Sequence, residues 1–170
     1  NECVARGIRF GVIYGGGFRE AGEEGRARER AVREAARNGG MRLIGPNCLG
    51  VVNITDRVYA AFGSMTRTPV LPAGGVSMVY QSGGFGQSLA LRLAAAGAGF
   101  RYLVASGNEV DITTPELIDY YLDDPLTKIV VSYVEGVTDG RALMAAGIKA
   151  AKLGKPILLW KGGRREQGLK

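Results

Sequence analysis

Residues 76 to 93, VSMVYQSGGFGQSLALRL, contain a turn whose residue types could bind an anion. An apolar stretch leads into Ser82, Gly83 and Gly84, and an amphipathic stretch follows. A strand that enters a helix through two glycines lets backbone N–H groups approach a phosphate, and the Ser82 hydroxyl can add a hydrogen bond. The same glycines would also suit a chain that only turns sharply. The motif therefore indicates an anion site and leaves a plain turn as the alternative.

Ser82 is interpreted as a binding residue and not as a nucleophile. The G-x-S-x-G pattern of hydrolases would need glycine at position 80, which is Tyr80, and the 170 residues contain no histidine to activate a serine. The P-loop pattern G-x-x-x-x-G-K-[ST] is also absent. The lack of histidine further excludes a histidine-based zinc site within these residues.

Three further loops are similar to this one in composition. Each follows an apolar stretch and combines glycine with polar side chains; the four loops are QSGG (81–84), SGNEVD (106–111), EGVTDG (135–140) and KGGRR (161–165). In an open parallel sheet, ligands bind outside the carboxyl ends of the strands, where such loops lie. The four loops together predict a binding site on one rim of a sheet.

Three side chains near these turns have both a structural and a functional interpretation. Glu135 follows a strand predicted to be buried, where a carboxylate needs a partner. It either caps a helix or accepts from a backbone N–H, or it orients a catalytic group brought from elsewhere. Lys161 is expected to extend from a strand end into water. Cys48 could be a reactive thiol, although a small buried hydrophobic residue is the default interpretation.

The predicted elements alternate between strands and helices. Four apolar strands begin near Val76, Tyr102, Ile129 and Ile157, at intervals of 26, 27 and 28 residues that suit one βα unit each. Continuously apolar strands that alternate with helices predict a three-layer α/β fold with a parallel sheet covered on both faces. The helix between the last two strands is expected to bury Leu143, Met144 and Ile148.

The chain divides into three parts. Residues 1–53, with predicted strands at Arg9–Tyr14 and Met41–Ile44, are interpreted as the C-terminal half of a Rossmann-like domain. Residues 54–75 are rich in proline and glycine and are predicted to be an irregular linker. Residues 76–170 are interpreted as most of a flavodoxin-like domain. Both domains are expected to be incomplete, which predicts a piece of a longer protein.

Composition limits the classes of partner. The net charge is +6, from 22 Lys and Arg against 16 Asp and Glu, but the arginines near residues 20–38 share their helix with glutamates and are interpreted as a solvated face. Nucleic-acid binding is not predicted, because stacking aromatics and a reading motif are missing. No apolar run approaches the roughly 20 residues that span a bilayer. Two distant cysteines suit a reducing cytoplasm.

A set of motifs covers nearly the whole chain in order. They are GGGFREAGEEG, GMRLIGPNCLGVVN, GGVSMVYQSGGFGQSLA, ASGNEVDITTPELIDYYLDDPLT, YVEGVTDGR and KPILLWKGGRREQG. Through these motifs the chain resembles the NDP-forming acyl-CoA synthetases, the superfamily that includes the succinyl-CoA synthetase alpha subunit. The resemblance implies a Rossmann-like domain that holds CoA and a flavodoxin-like domain that carries a phosphorylated histidine.

The resemblance also implies cofactors and partners. The family makes acyl-CoA from a carboxylate, CoA and ATP through the phosphohistidine. ATP and Mg²⁺ are bound by an ATP-grasp domain or subunit outside this chain. A small carboxylic acid or acyl-CoA is then the ligand, and an oligomeric assembly is expected, with neither nucleic acid nor membrane as a partner. Which acid, and whether ATP or GTP is used, stay open.

The family's functional positions carry over residue by residue. Tyr14, Gly15 and Gly16 would lie beside CoA, with Asn47 and Cys48 near its thiol end. The helix start that receives the phosphohistidine would be formed by Gln81, Ser82, Gly83 and Gly84. Glu135 would hydrogen-bond the histidine, and Gln87 would contact the acyl group.

One departure from the family pattern is large. The family's histidine follows shortly after the segment that matches KGGRREQG, and this chain ends at Lys170 without one. These 170 residues alone are therefore expected to be inactive. The alternative is a non-catalytic module of a protein acetyltransferase that senses CoA or acyl-CoA. A flavin or nicotinamide binder is disfavoured, because no strand is followed by G-x-G-x-x-G.

Overall fold

The computed structural model describes residues 2–66 and 71–163, apart from the side chain of Met65. The helices are α1 (Glu2–Ala5), α2 (Glu23–Asn38), α3 (Gly83–Ala95), α4 (Thr114–Asp123) and α5 (Gly140–Leu153). The strands are β1 (Phe10–Val12), β2 (Arg42–Ile44), β3 (Gly50–Asn53), β4 (Val58–Ala61), β5 (Ala73–Tyr80), β6 (Phe100–Ala105), β7 (Ile129–Val134) and β8 (Ile157–Lys161). Short 3₁₀ turns occupy Arg19–Ala21 and Ser64–Thr66.

The larger sheet has the strand order β4-β3-β6-β5-β7-β8. The strands β6, β5, β7 and β8 are parallel, and Met78 at the middle of β5 lies opposite Leu103 and Val131. Numbered from β5, these four strands follow the order 2-1-3-4, which is that of a flavodoxin-like sheet. The four strands predicted from the sequence are therefore confirmed as parallel neighbours.

The rest of the larger sheet differs from the prediction. Strand β3 pairs antiparallel with β6 and with β4, so the sheet is mixed and not purely parallel. Strand β3 lies in the part assigned to the Rossmann-like domain, yet it belongs to the larger sheet. The segment 54–75, predicted to be irregular, contains β4, a 3₁₀ turn and the start of β5. Strands β1 and β2 form a separate parallel pair.

Helices cover both faces of the parallel strands. Right-handed crossovers place α3, which leads from β5 outward to β6, opposite α4 and α5, which lead back to β7 and on to β8. The core between them is closed by fully buried side chains such as Tyr80, Phe100, Leu103 and Val130. At about 25 cal/mol per Å² of apolar area, burying each such side chain contributes about 1.5–3 kcal/mol.

Helix α5 buries a different face from the one predicted. Met144 and Ile148 are 67% and 58% exposed, so their predicted burial is wrong. Ala146 and Ala150 are the buried positions, and Leu143 packs against the core beside them. Small side chains on this face let the helix approach the neighbouring α4 closely, whereas Met144 and Ile148, each two residues before a buried alanine, lie on nearly the opposite side of the helix.

Backbone hydrogen bonds join the small sheet to the larger one. The amides of Asn108, Val110 and Ile112 donate to the carbonyls of Pro46 (2.9 Å), Gly45 (2.9 Å) and Leu43 (3.1 Å). The loop after β6 therefore runs alongside the end of β2 and the turn that follows it. This contact brings the loops of the two sheets to one place.

Candidate functional site

The side chain of Gln81 joins three of the four predicted rim loops. Its Oε1 accepts from the backbone amides of Glu135 (2.7 Å) and Gly136 (3.0 Å). Its Nε2 donates to the Gly136 carbonyl (2.8 Å) and to Oε1 of Glu109 (3.0 Å). A glutamine amide has two N–H groups and two acceptor lone pairs, and all four are used here. No donor or acceptor of this side chain is left over for a phosphate.

Glu109 is a buried carboxylate at the centre of this rim. It is 4% exposed, and its Oε1 accepts from Ser106 Oγ (2.8 Å), Gln81 Nε2 (3.0 Å) and Thr114 Oγ1. Glu109 lies in the SGNEVD loop (106–111) of the predicted rim, but the sequence led to no predicted role for this residue. A signal was present, because hydroxyl residues three positions before it and five after it can supply donors to a buried carboxylate.

Glu135 lies outside the buried strand that precedes it. Strand β7 ends at Val134, and Glu135 is exposed, so the expectation that burial forces a partner on its carboxylate is wrong. Its backbone is held on both sides, because Gln81 accepts from its N–H and Lys161 Nζ donates to its carbonyl (2.7 Å). Within residues 2–66 and 71–163, no hydrogen bond or ion pair engages its carboxylate.

The first turn of α3 is open to a ligand at one of its two glycines. Ser82 is the N-cap, and its hydroxyl does not cap its own helix. A Cβ on Gly83 would come 2.5 Å from Cγ of Leu49, so packing requires this glycine. A Cβ on Gly84 would meet nothing within 4 Å. Free N–H groups and the positive end of the helix dipole favour an anion in that space.

The residues predicted to lie beside CoA surround the turn after β2. The amide of Asn47 donates to the Gly15 carbonyl (2.9 Å), and Asn47 Nδ2 lies 3.4 Å from Asn108 Oδ1. Asn47 has φ +56°, and the exposed Gly15 has space where a Cβ would be. Gly16 lies next to Asn47, and Tyr14 packs edge-on against Phe62.

Cys48 is a buried thiol. It is 3% exposed, and its Sγ lies 3.4 Å from the Ile13 carbonyl. Burial raises the pKa of the thiol, which lowers the thiolate fraction at neutral pH. The geometry favours the default interpretation of Cys48 as a small hydrophobic residue over a reactive nucleophile.

Gln87 holds a neighbouring loop in place. It is 2% exposed, its Oε1 accepts from the Ser64 amide (2.9 Å) and hydroxyl (2.8 Å), and its Nε2 donates to the Phe62 carbonyl (2.7 Å). Gln87 lies one helical turn after Gly83 on α3, and its partner Phe62 packs against Tyr14. Contact with an acyl group remains a prediction.

An open cleft of about 1010 Å³ lies between α2 and the rim loops. Of the predicted site residues, Asn47, Gln81 and Glu135 line it, and the first turn of α3 follows directly from Gln81. The charged lining residues are Arg19, Arg26, Arg30, Arg33, Lys161, Glu20, Glu29 and Glu135. Cations outnumber anions there, which favours an anionic ligand. Arg164 and Arg165, at the end of the fourth loop, lie outside the described residues.

The interpretation of the α2 arginines as a solvated face holds only in part. Arg26 and Arg30 pair with Glu23 and are 52% and 60% exposed. However, Arg33 Nε donates to the Val110 carbonyl (2.6 Å), and all three arginines line the cleft. Their spacing of four and three residues places them on one helix face, which is a signal that the sequence contained.

Comparison with known proteins identifies the group to which this chain is related. Residues 73–170 match the family described as the succinyl-CoA ligase like flavodoxin domain. The chain belongs to this family, within the NDP-forming acyl-CoA synthetases. The resemblance inferred from the motifs is thereby confirmed. The fold class is confirmed as well, with the mixed sheet described above.

Several relatives match almost the whole chain. The alpha subunit of acetate–CoA ligase [ADP-forming] I from Pyrococcus furiosus is 38% identical over 99% of this chain, which spans 36% of that protein. An acetate–CoA ligase [ADP-forming] from Methanocaldococcus jannaschii is also 38% identical over 99% of the chain, which spans 23% of it. This chain therefore corresponds to about a third of the first relative and to about a quarter of the second.

A solved structure shares the arrangement of elements. Acetyl-coenzyme A synthetase 1 of Ca. Korarchaeum cryptofilum, in complex with phosphate and ADP, superposes with a TM-score of 0.83 at 32% identity. The match covers 98% of this chain and 35% of that one.

No helix of the described residues has the length and apolar character needed to cross a bilayer. In the same residues no group of three or more His, Cys, Asp or Glu could hold a metal ion.

Proposed function

We propose that this chain is the part of an NDP-forming acyl-CoA synthetase that binds CoA and receives the phosphoryl group. The reaction of the whole enzyme joins a carboxylate to CoA and converts ATP to ADP and phosphate, by way of a phosphohistidine outside these residues. The proposal is supported by family membership and by relatives whose names state that they are ADP-forming acetate–CoA ligases.

The observation that carries the proposal is the carboxylate of Glu135 on the wall of the cleft, which has no partner within residues 2–66 and 71–163. A carboxylate held by its backbone can accept from one imidazole N–H, which fixes the ring orientation and the tautomer. The other ring nitrogen then faces the phosphoryl group. The first turn of α3, with the Ser82 hydroxyl and the space beside Gly84, receives that group.

The residues of the small sheet fit CoA. The open space at Gly15, the left-handed turn at Asn47 and the arginines of α2 leave room and positive charge for a ligand with several phosphate groups. CoA supplies a thiol that accepts the acyl group. Asn47 would orient it from the turn, and the buried Cys48 would provide packing there and no chemistry.

Nucleotide and Mg²⁺ belong to an ATP-grasp domain or subunit in this proposal. The related structure that contains ADP and phosphate supports a nucleotide in the whole enzyme. A cytoplasmic enzyme that works as an oligomer is part of the same proposal. The 170 residues alone should show no ligase activity, and thioester formation from ATP and CoA by this piece would contradict that.

The test uses the full-length protein with γ-labelled ATP and Mg²⁺. We expect phosphate on the protein that is labile in acid and stable in base, and a strong decrease of this label in Glu135→Gln and Ser82→Ala. Glu34→Gln is the matched control, because Glu34 is exposed on α2 away from the cleft. An unlabelled wild-type protein that still binds CoA would instead favour the sensing module of a protein acetyltransferase.

A further inference from the structure

One hydrogen-bonded side chain on the cleft wall fixes the distance between the first turn of α3 and Glu135. Gln81 is the residue directly before Ser82, the N-cap of α3, and its side chain accepts from both amides of the Glu135–Gly136 turn. A single side chain therefore connects the start of α3 to the backbone of Glu135. No other side chain among the described residues hydrogen-bonds both amides.

The orientation of the Gln81 amide is set by Glu109. An amide can be turned by 180° to exchange its oxygen and nitrogen, and only one of the two orientations places N–H groups toward the buried carboxylate. Oε1 of Glu109 already accepts from the hydroxyls of Ser106 and Thr114, so it faces donors on every side. The reversed amide would bring two acceptors together and would also place N–H groups against the amides of the turn.

The second anchor of Glu135 comes from β8. Lys161 Nζ donates to the carbonyls of Glu135 (2.7 Å) and Gly162. The N–H of Glu135 is thus held from β5 and its carbonyl from β8, while its carboxylate stays free among the described residues. Without these hydrogen bonds, the backbone of a glycine-containing turn could adopt many conformations, and the exposed side chain of Glu135 would move with it.

We propose that Gln81 is a positioning residue and not a phosphate ligand: with its amide oriented by Glu109, it holds the Glu135 turn at a fixed distance from the first turn of α3. This inference rests on the proposed function for its catalytic consequence. The hydrogen bonds by which Gln81 fixes the Glu135–Gly136 turn do not depend on that function. Misplacement of a catalytic group by about 1 Å can lower a rate by about 100-fold.

The experiment exchanges the two side chains in the full-length protein. In Gln81→Glu, two carboxylates would face each other at the position of the 3.0 Å contact, and the donor to the Gly136 carbonyl would be lost. In the double variant Gln81→Glu/Glu109→Gln, the glutamine at 109 can donate to the glutamate at 81, which still accepts from both amides; the donor to the Gly136 carbonyl stays lost, so recovery is expected to be partial. Gln81→Met removes the hydrogen bonds without adding charge.

Two measurements are made on each variant. Hydrogen–deuterium exchange of the amides of Glu135 and Gly136 should be faster in Gln81→Glu and Gln81→Met than in the wild type and should slow again in the double variant. The rate of phosphohistidine formation at saturating ATP should fall by about 100-fold in Gln81→Glu and recover by at least 10-fold in the double variant. In Gln81→Glu the rate should also rise as the pH falls, because a shared proton replaces the missing donor.

Each outcome decides between the alternatives. If Gln81 bound phosphate directly, the glutamate at 81 in the double variant would repel it, and the double variant would remain as slow as Gln81→Glu with unchanged exchange at the turn. Unchanged exchange in Gln81→Met would overturn the positioning role even if Gln81→Glu does not fold. Absence of phosphohistidine in the wild type would refute the proposed function, and the exchange measurement would still test the hold on the turn.

Discussion

Two glycines inside helices should respond in opposite ways to alanine. A Cβ on Gly86 in α3 would overlap Cγ and Cδ2 of the Tyr80 ring, and Tyr80 is fully buried at the end of β5. A Cβ on Gly147 in α5 would meet nothing within 4 Å. Both substitutions bring the same helix-propensity gain of about 1 kcal/mol. Only the one in α3 must displace a packed element.

The magnitudes follow from these contacts. Forcing a methyl group into a packed core costs about 1–3 kcal/mol, and an overlap with a ring that has no space to move belongs at the upper end. Gly86→Ala should therefore lower the free energy of unfolding by about 2 kcal/mol, which for a chain of this size lowers Tm by about 4–8 °C. Gly147→Ala should raise Tm by about 2–4 °C.

Thermal unfolding followed by far-UV circular dichroism, on both variants and the wild type, measures these shifts. A functional effect is also expected, because Gly86 sets how closely α3 approaches β5 and so where the first turn of α3 lies. Phosphate labelling of the full-length protein should fall in Gly86→Ala and not in Gly147→Ala. A Gly86→Ala variant as stable as the wild type would refute the packing argument, and the position of α3 would need another explanation.

Three further outcomes are expected. Iodoacetamide should modify the exposed Cys3 readily and Cys48 only on unfolding, because burial both covers the Cys48 thiol and raises its pKa; equal rates in the native protein, measured by mass spectrometry, would contradict this. Burial by itself would raise the pKa of Asp124, but the hydrogen bond from Arg101 lowers this pKa below the ordinary 3.8. The stabilising effect of the Asp124–Arg101 pair is therefore present above about pH 4 and is lost as the pH falls further. The difference in urea midpoint between wild type and Asp124→Asn should shrink as the pH falls below about 4, and a constant difference would count against the pair. Gly84→Ala should leave Tm within about 2 °C, since its Cβ meets nothing, yet weaken phosphate labelling; unchanged labelling would mean that no ligand occupies the space.

The sequence predicted the parallel part of the fold because those strands are mostly apolar, with only single polar side chains such as Ser77, Arg101 and Ser132 among them. Strand β4 was missed although residues 58–62, VYAAF, form a short apolar run; Val58 and Tyr59 are about half exposed, and backbone bonds to β3 hold the strand. The prolines and glycines of residues 54–75 outweighed this short run and led to the prediction of an irregular linker. The predicted burial of Met144 was wrong because periodicity shows that a helix has an apolar face and not whether another element covers that face.

The candidate site was predicted as a set of loops, and the structure shows how its side chains are connected. The loop positions follow from the ends of apolar strands, so the convergence of the loops containing Gln81, Glu109 and Glu135 was foreseeable. Which carboxylate is buried was not. Glu135 directly follows an apolar strand yet is exposed, whereas Glu109 lies in a polar loop with φ +56° and is buried. Only the path of the backbone decides between them.

The bonds between the loop after β6 and the turn after β2 have a consequence for how this protein can diverge. The main-chain amides of Asn108, Val110 and Ile112 donate to main-chain carbonyls of β2 and its turn, so substitutions that keep the backbone path leave the two sheets in the same relative position. Gly107 and Gly45 are the exceptions, because at φ +60° and +95° a Cβ there would overlap the carbonyls of Pro46 and Ile13 respectively. Side-chain substitutions can therefore alter ligand preference at the cleft walls. The hydrogen bonds between the two sheets tolerate most substitutions, except at these two glycines, and preserve the geometry on which the chemistry depends.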